Sequence, residues 1–424
     1  MRKRILAIFL VICLLAVFTA CSNTNKDVPE SSSPSDQSSP SGDGSIGATD
    51  GQNPASVGGL RHVSEQPARF GAQDGFFFLK SYPTKETVEG YDNLMYVDYA
   101  TGKQVYLCNK SNCSHSDSGC TSYIPTTGAQ GLFTYKDKLY RLSSAGSSDG
   151  KSVVPGLFVS DLDGSNSKML YRLDSGMGWL SDIVIGDGVL YADVMVMGSD
   201  NSDGGIGFIT GDDNNSRILS VNLSTSKAEI VHDLTNQKIV GVFDSYIVIS
   251  EPRNGEMVFS LFDTKSNIIT EAGRVKDTTV YAHSEGKVYY TLSNVLHSLD
   301  LKTGNTAQIA SGLPASLDQI EAYSGFAVCT QSDASGTKAH FAVNLLSGNI
   351  SQINLFKTGL DFKSPVEIEA EWGDYFLVCT GYKMDEEYVD WAGVWQDYRS
   401  EEYFALIKKD DFFAGKTEYR TIQY

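Results

Sequence analysis

Cys108, Cys113, His115 and Cys120 fall within thirteen residues, spaced Cys-x4-Cys-x-His-x4-Cys. Three thiolates and one imidazole are a complete tetrahedral donor set for Zn²⁺. The residues between them are small and polar (Asn, Ser, Asp, Gly), which permits the tight loop such a site needs. With all four positions filled by protein, a metal here would be structural. The competing chemistry is a disulfide, since an exported chain oxidises accessible thiols. Three cysteines cannot all pair with one another, so that reading leaves one thiol free. A reactive thiol is the third reading. Cys329 and Cys379 stand in matching Val-Cys-Thr strands and are expected to be buried small apolar side chains.

Two insertions carry the other candidate chemistry. Gly381 to Glu402 reads as a loop in which Tyr382, Tyr388, Trp391, Trp395 and Tyr398 alternate with acids such as Asp385, Asp390 and Asp397. Aromatic faces stack on sugar rings or cations while carboxylates accept hydrogen bonds, so Tyr388, Trp391, Trp395 and Tyr398 are the candidate ligand-binding residues. The competing reading is a small satellite core. Gly198 to Asn215 concentrates oxygen donors, among them Asp200, Asp203, Asp212 and Asp213. Such density could hold Ca²⁺, but no EF-hand spacing is present and a solvated loop is the simpler expectation. The six histidines are scattered, none belongs to an HExxH set, and no Gly-x-Ser-x-Gly elbow between a strand and a helix is evident. No catalytic set is therefore expected from local sequence, although a ring of repeats can assemble one from distant segments.

What must position these residues is a repeat. A polar turn followed by an alternating aromatic or β-branched strand occurs at Asp74-Gly75, Lys136-Asp137, Asp187-Gly188, Asp244-Ser245, Glu285-Gly286, Ser324-Gly325 and Gly373-Asp374. After each comes a strand closing on Asp or Asn and a Ser/Thr/Gly turn. The copies centre on Asp98, Asp161, Asn222, Asp263, Asp300 and Asn344, with a loose one at Lys408 to Asp411. Asp and Asn fold back on the backbone and Gly takes positive φ, so each is a hairpin signal. An apolar strand precedes each first turn, giving about four strands per unit. Seven such units without long periodic helices predict an all-β, seven-bladed β-propeller over residues 60–424, six or eight blades being the neighbouring counts. Eight shorter hairpins forming a sandwich plus an extra domain are the competing architecture. Mutual burial around an axis explains how so long a segment forms one domain.

The N-terminus has a different character. Arg2, Lys3 and Arg4 precede an apolar run from Ile5 to Phe18. That run falls short of the roughly 20 residues needed to span a bilayer, so residues 1–20 read as a secretory signal peptide. Phe18-Thr19-Ala20-Cys21 resembles the lipobox of bacterial lipoproteins, which implies lipidation of Cys21 and cleavage before it. Residues 21–59 are rich in Ser, Pro, Gly, Asn and Asp without apolar periodicity, the composition of a flexible tether. The formal charge is −18, and loss of the signal peptide removes three more basic residues and no acid. Such acidity argues against nucleic acid as a partner and suits cationic or neutral ligands.

The lipobox, the repeated turn-aromatic strand and the Leu107-Cys108-x4-Cys113-x-His115 element together resemble β-propeller lipoproteins of Gram-positive bacteria, themselves similar to periplasmic transport-associated propellers. That resemblance supports the fold and supplies no activity. The expectation is a protein anchored by lipid at the outer face of the cell membrane. Its propeller would recognise a glycan, a peptide or an envelope protein without catalysis. The alternatives are a propeller-fold extracellular enzyme such as a glycosidase or lyase, and a structural scaffold of an envelope complex. Carboxylates or histidines converging in the central channel would favour the enzyme. An apolar channel beside an exposed aromatic loop would favour binding.

Overall fold

Each of the seven polar turns sits between the first two of four antiparallel strands, and two of the seven sheets carry a fifth short strand. The turns need left-handed backbone, and Lys136, Asp187, Asp244 and Glu285 hold φ between 50° and 52°, the geometry of a two-residue hairpin whose twist matches its strands. The second turns are built as expected too. Asp98 Oδ1 accepts from the backbone N–H of Thr101 at 2.8 Å, Asp300 Oδ1 from Thr303 at 2.9 Å and Asn344 Oδ1 from Ser347 at 2.8 Å.

The structure is a computed structural model. It describes residues 59–63, 68–82, 90–125, 129–143, 146–147, 152–153, 155–174, 176–196, 216–276, 280–334, 336–360, 362–389 and 395–424. The expected signal peptide, Cys21, the tether up to residue 58, the acidic loop Gly198 to Asn215 and Trp391 lie outside them. Among the described residues, no helix is long and apolar enough to cross a membrane.

Blade 1 contains Arg69–Gly71, Gly75–Tyr82, Tyr91–Asp98 and Lys103–Tyr106. Blade 2 contains Ala129–Tyr135, Lys138–Ser143, Gly156–Asp161 and Lys168–Arg172. Blade 3 contains Met177–Gly186, Val189–Val196, Ser216–Asn222 and Ala228–Asp233. Blade 4 contains Lys238–Phe243, Tyr246–Arg253, Glu256–Asp263 and Ile268–Lys276. Blade 5 contains Tyr281–Ser284, Lys287–Leu292, Val295–Asp300 and Thr306–Ser311. Blade 6 contains Gln319–Tyr323, Phe326–Ser332, Lys338–Asn344 and Ile350–Ile353. Blade 7 contains Glu367–Trp372, Tyr375–Val389, Trp395–Lys408 and Arg420–Thr421. The expected seven-bladed propeller is therefore the observed one. The loose seventh copy differs: in place of a tight turn, a five-residue helix, Lys409–Phe413, seats Phe412 and Phe413 against blade 6.

The core is distributed between blades, because neither face of a blade is dry until a neighbour covers it. Ile239, Ile247 and Phe262 of blade 4 pack with Val184 and Ile218 of blade 3, and the pattern repeats around the ring. The ring closes between blades 1 and 7. There Phe76, Phe78 and Met95 meet Leu377, Phe404 and Leu406. Gly71 passes so near blade 7 that a Cβ on it would lie 2.9 Å from that of Ala370. Arg69 bridges two carboxylates of blade 7, reaching Glu369 at 2.8 Å and Glu402 at 2.6 Å. Beyond the last strand, the Gln104 N–H donates to the Gln423 carbonyl at 2.7 Å and the Gln423 N–H to the Gly102 carbonyl at 2.8 Å. The two ends of the propeller chain are thus laced together through backbone as well as core.

A short strand, Arg61–Val63, precedes blade 1 and pairs with the innermost strand of blade 3, His62 opposite Val184. It brings an extra strand to the centre of the ring, which the repeat pattern did not predict.

Candidate functional site

The cysteine–histidine loop leaves the outer strand of blade 1 at Tyr106. Both of its ends are pinned to the neighbouring strand Tyr91–Asp98. The Leu107 N–H donates to the Leu94 carbonyl at 3.0 Å, and the Leu94 N–H donates to the Ser122 carbonyl at 2.8 Å. Tyr123 and Ile124 then pair with Asn93 and Asp92. Asn112 and His115 turn the chain back on itself with φ of 56° and 57°. Asp117 Oδ1 accepts from the Gly119 N–H at 2.7 Å and closes the last turn before Cys120.

This wrapping brings the four predicted donors together. One ligand atom from each of Cys108, Cys113, His115 and Cys120 lies within 4.8 Å of every other. Sulfurs bound to one tetrahedral zinc sit about 3.8 Å apart, so only small adjustments separate this arrangement from coordination. The thiols are free, and no disulfide links them. His115 Nδ1 lies 3.2 Å from Cys120 Sγ. The His115 ring is held flat against Tyr106, with centroids 4.0 Å apart and planes 4° from parallel. Cys120 Sγ is 3.0 Å from Ser122 Oγ, which donates to Asn93 Oδ1 at 2.9 Å. Hydrogen bonds to the donor side chains, as with Ser122 here, orient the ligands of a metal site.

The electrostatics point the same way. Burial raises the Cys108 thiol, but the Lys110 N–H and the Cys120 and Cys113 sulfurs outweigh it and bring it down to about 7. The His115 N–H lowers Cys113, yet desolvation and the Cys120 and Cys108 sulfurs together push it up. The Cys108 thiolate thus forms at the expense of Cys113, a conflict that a divalent cation would relieve by favouring the thiolate form of both. Cys329 and Cys379 are fully buried, as expected. Burial pushes their thiols up to about 12 and about 11.

The aromatic insertion is a hairpin and not the expected loop. Strands Tyr375–Val389 and Trp395–Lys408 of blade 7 stay paired through the insertion, with Tyr388 opposite Gln396, Val389 opposite Trp395 and Glu386 opposite Tyr398. Trp391 lies outside the described residues. Tyr382, at the hairpin's root, is a core residue: it is buried against the blade 1–7 interface, and Lys357 Nζ donates to its hydroxyl at 2.9 Å.

The centre of the ring holds a cavity of about 570 Å³ that local sequence did not reveal. Its wall is drawn from the inner strands of blades 4 to 7 and from His62. His62 Nε2 lies 3.4 Å from Asp182 Oδ1 of blade 3. His283 of blade 5, Glu321 and Tyr323 of blade 6 and Glu369 of blade 7 join the wall. Burial, with a smaller push from His62, lowers His283 to about 4, so its imidazole is neutral at neutral pH. His62 and His283 are far apart in the chain, and only ring closure brings them together.

No protein family and no curated protein matches the sequence. Solved structures do match by shape. A prolyl endopeptidase superposes with a TM-score of 0.51 at 12% identity, over 86% of this chain and 50% of that one. An acylaminoacyl peptidase in complex with Z-Gly-Gly-Phe-chloromethyl ketone gives 0.50 at 9% identity, over 86% and 52%. An oligogalacturonate lyase in complex with manganese gives 0.43 at 11% identity, over 72% and 93%. This chain spans about half the length of the two peptidases. At such identities the likeness speaks for the fold alone: the class is the seven-bladed β-propeller.

Proposed function

We propose that this chain is a lipid-anchored protein of the outer face of a bacterial membrane. Its propeller recognises a glycan, a peptide or another envelope protein without transforming it. Cys108, Cys113, His115 and Cys120 hold a structural Zn²⁺ that pins the connection between blades 1 and 2. The observation that carries the recognition reading is the blade 7 hairpin. Its strands run 15 and 14 residues, whereas the two middle strands of blade 5 run six each. A rigid ring that extends a paired hairpin, with Tyr388, Trp395 and Tyr398 in its strands, offers a backbone fixed in advance, which lowers the entropic cost of binding. The zinc reading is supported by four mutually close donors that leave no coordination position for water. Metal with a full protein shell serves stability, not hydrolysis.

The test is binding to glycan and peptide arrays by the mature chain and by Trp391→Ala and Trp395→Ala variants. Ligands lost in both variants support the hairpin; equal binding by all three proteins removes it as the platform.

A second reading has its own observation. His62, His283, Glu321 and Glu369 converge on the central cavity from separate strands, the feature expected of a propeller enzyme with a composite site. Hydrolysis or elimination of a bound oligosaccharide or peptide by purified protein, abolished by Glu321→Gln, would establish it.

A further inference from the structure

We propose that the cleft between blades 1 and 2 is a second binding site, separate from the hairpin, and that Arg141 there takes a small organic carboxylate with an apolar body. The cleft has a volume of about 390 Å³, within the size range of small-molecule sites. One side is a face of blade 2, where Leu139, Arg141 and Ser143 on one strand stand opposite Ser160, Phe158 and Gly156 on the next. The other side is Leu94 of blade 1 with Tyr123, Ile124 and Pro125, which follow the cysteine–histidine loop. No carboxylate lines the cleft, whereas two cations, Arg141 and Lys168, do. That is the reverse of a chain whose formal charge is −18.

Arg141 is the anchor. Among the described residues it has no hydrogen bond and no ion pair. Its guanidinium carbon lies over the Phe158 ring, 4.6 Å from the centroid. A guanidinium held over an aromatic face keeps its N–H edge free to donate. Burial lowers the group to about 10, and the attraction of Asp92 offsets only part of that, so it is a cation at neutral pH. Asp92 lies outside the cleft wall, and its Oδ1 accepts from Ser81 Oγ at 2.6 Å. A cation drawn out of water without a bonded partner is costly, and an incoming anion removes that cost. The planar fork of arginine matches the two oxygens of a carboxylate. Most of the surrounding wall is apolar, with Leu94, Ile124, Leu139, Phe158 and Val159 at its centre. Such a wall suits a hydrocarbon body and gives little to a bare inorganic ion. Lys168 is exposed at the cleft and adds attraction for the anion. The inference goes beyond the recognition reading and uses none of the hairpin residues.

Calorimetric titration of the purified chain tests it. The probes are 3-phenylpropanoate, its uncharged amide 3-phenylpropanamide, and inorganic phosphate. Salt at about 150 mM screens attraction beyond roughly 8 Å, so that contact at the site dominates. The expected result is saturable binding of 3-phenylpropanoate at one per chain. The amide should bind about tenfold or more weakly, the scale of a lost charge-assisted hydrogen bond. Phosphate should also bind about tenfold or more weakly, because it buries no apolar surface. Arg141→Gln should weaken 3-phenylpropanoate about tenfold or more. Arg141→Lys keeps the charge but not the fork, and should not restore the affinity. Lys168→Gln alters an exposed side chain, so it keeps the fold and should weaken binding about two- to fivefold. Trp395→Ala should leave the affinity unchanged, which separates this site from the hairpin. Acid and amide are compared on the wild-type chain, so the test stands even where Arg141→Gln fails to fold. Absence of saturable 3-phenylpropanoate binding, equal binding of the amide or of phosphate, or wild-type affinity in a folded Arg141 variant would overturn the proposal.

Discussion

His115 Nδ1 lies 3.2 Å from Cys120 Sγ, with the imidazole stacked flat on Tyr106. The stacking holds the ring beside the sulfurs, so the four candidate donors are already gathered. Cys120 is the buried member, and Ser122 ties it to the Asn93 side chain of the adjacent strand. Cys120→Ser should therefore cost more than Cys113→Ser, whose thiol is less buried. Chelation of the wild-type protein should lower its melting temperature, and the Cys120→Ser variant should show little further drop. Differential scanning calorimetry with and without chelator reads both.

The closure of the ring makes a second prediction. Glu369 is nearly buried, its side chain 3% exposed, and it faces Arg69. Arg69→Met removes the cation and leaves that carboxylate unpaired. Breaking a buried pair from one side costs about 3–5 kcal/mol. The double variant Arg69→Met, Glu369→Gln should recover part of the loss. Urea unfolding of the three proteins checks it; equal stability of the single variant and wild type would show that closure does not depend on this bridge.

Stability should depend on pH through buried histidine. Burial lowers His283 and His340 to about 4 in the folded chain, whereas an unfolded histidine titrates near 6.5. Between those values the unfolded chain binds more protons, so stability is full above about pH 6.5 and falls as pH drops toward about 4. The slope is at most about 1.4 kcal/mol per pH unit for each histidine. His283→Gln should flatten the curve in that window and change it little above pH 7.

Membrane attachment is tested separately. Cys21→Ser should move the protein from the membrane fraction to the soluble one. A variant that stays with the membrane contradicts lipid anchoring.

The hairpin tryptophans make a further prediction. On the recognition reading, Trp391→Ala and Trp395→Ala should change the melting temperature little. A large drop in either would mark a satellite core instead.

The fold was legible because its signals are local. Asp187-Gly188 and Glu285-Gly286 announce their hairpins through backbone that few residues adopt. Asp300 and Asn344 bond their own turns within a few residues. The cysteine–histidine cluster was legible for the same reason, since Cys108 and Cys120 are close in sequence. The central cavity was not, because Glu321 and His62 meet only after seven blades close, and no pattern within one repeat encodes that. The hairpin was misread as a loop because acids and aromatics, rather than aliphatic residues, alternate along its strands. In blade 7, a single helical turn at Lys409–Phe413 replaced the expected tight turn because Phe412 and Phe413 find a core to enter.

The most direct test is metal analysis of the chain purified without chelator or reductant, combined with X-ray absorption at the zinc edge. The account predicts one zinc per chain with three sulfur ligands and one nitrogen, lost in Cys120→Ser. A metal-free protein with Cys108, Cys113 or Cys120 oxidised to a disulfide would contradict it.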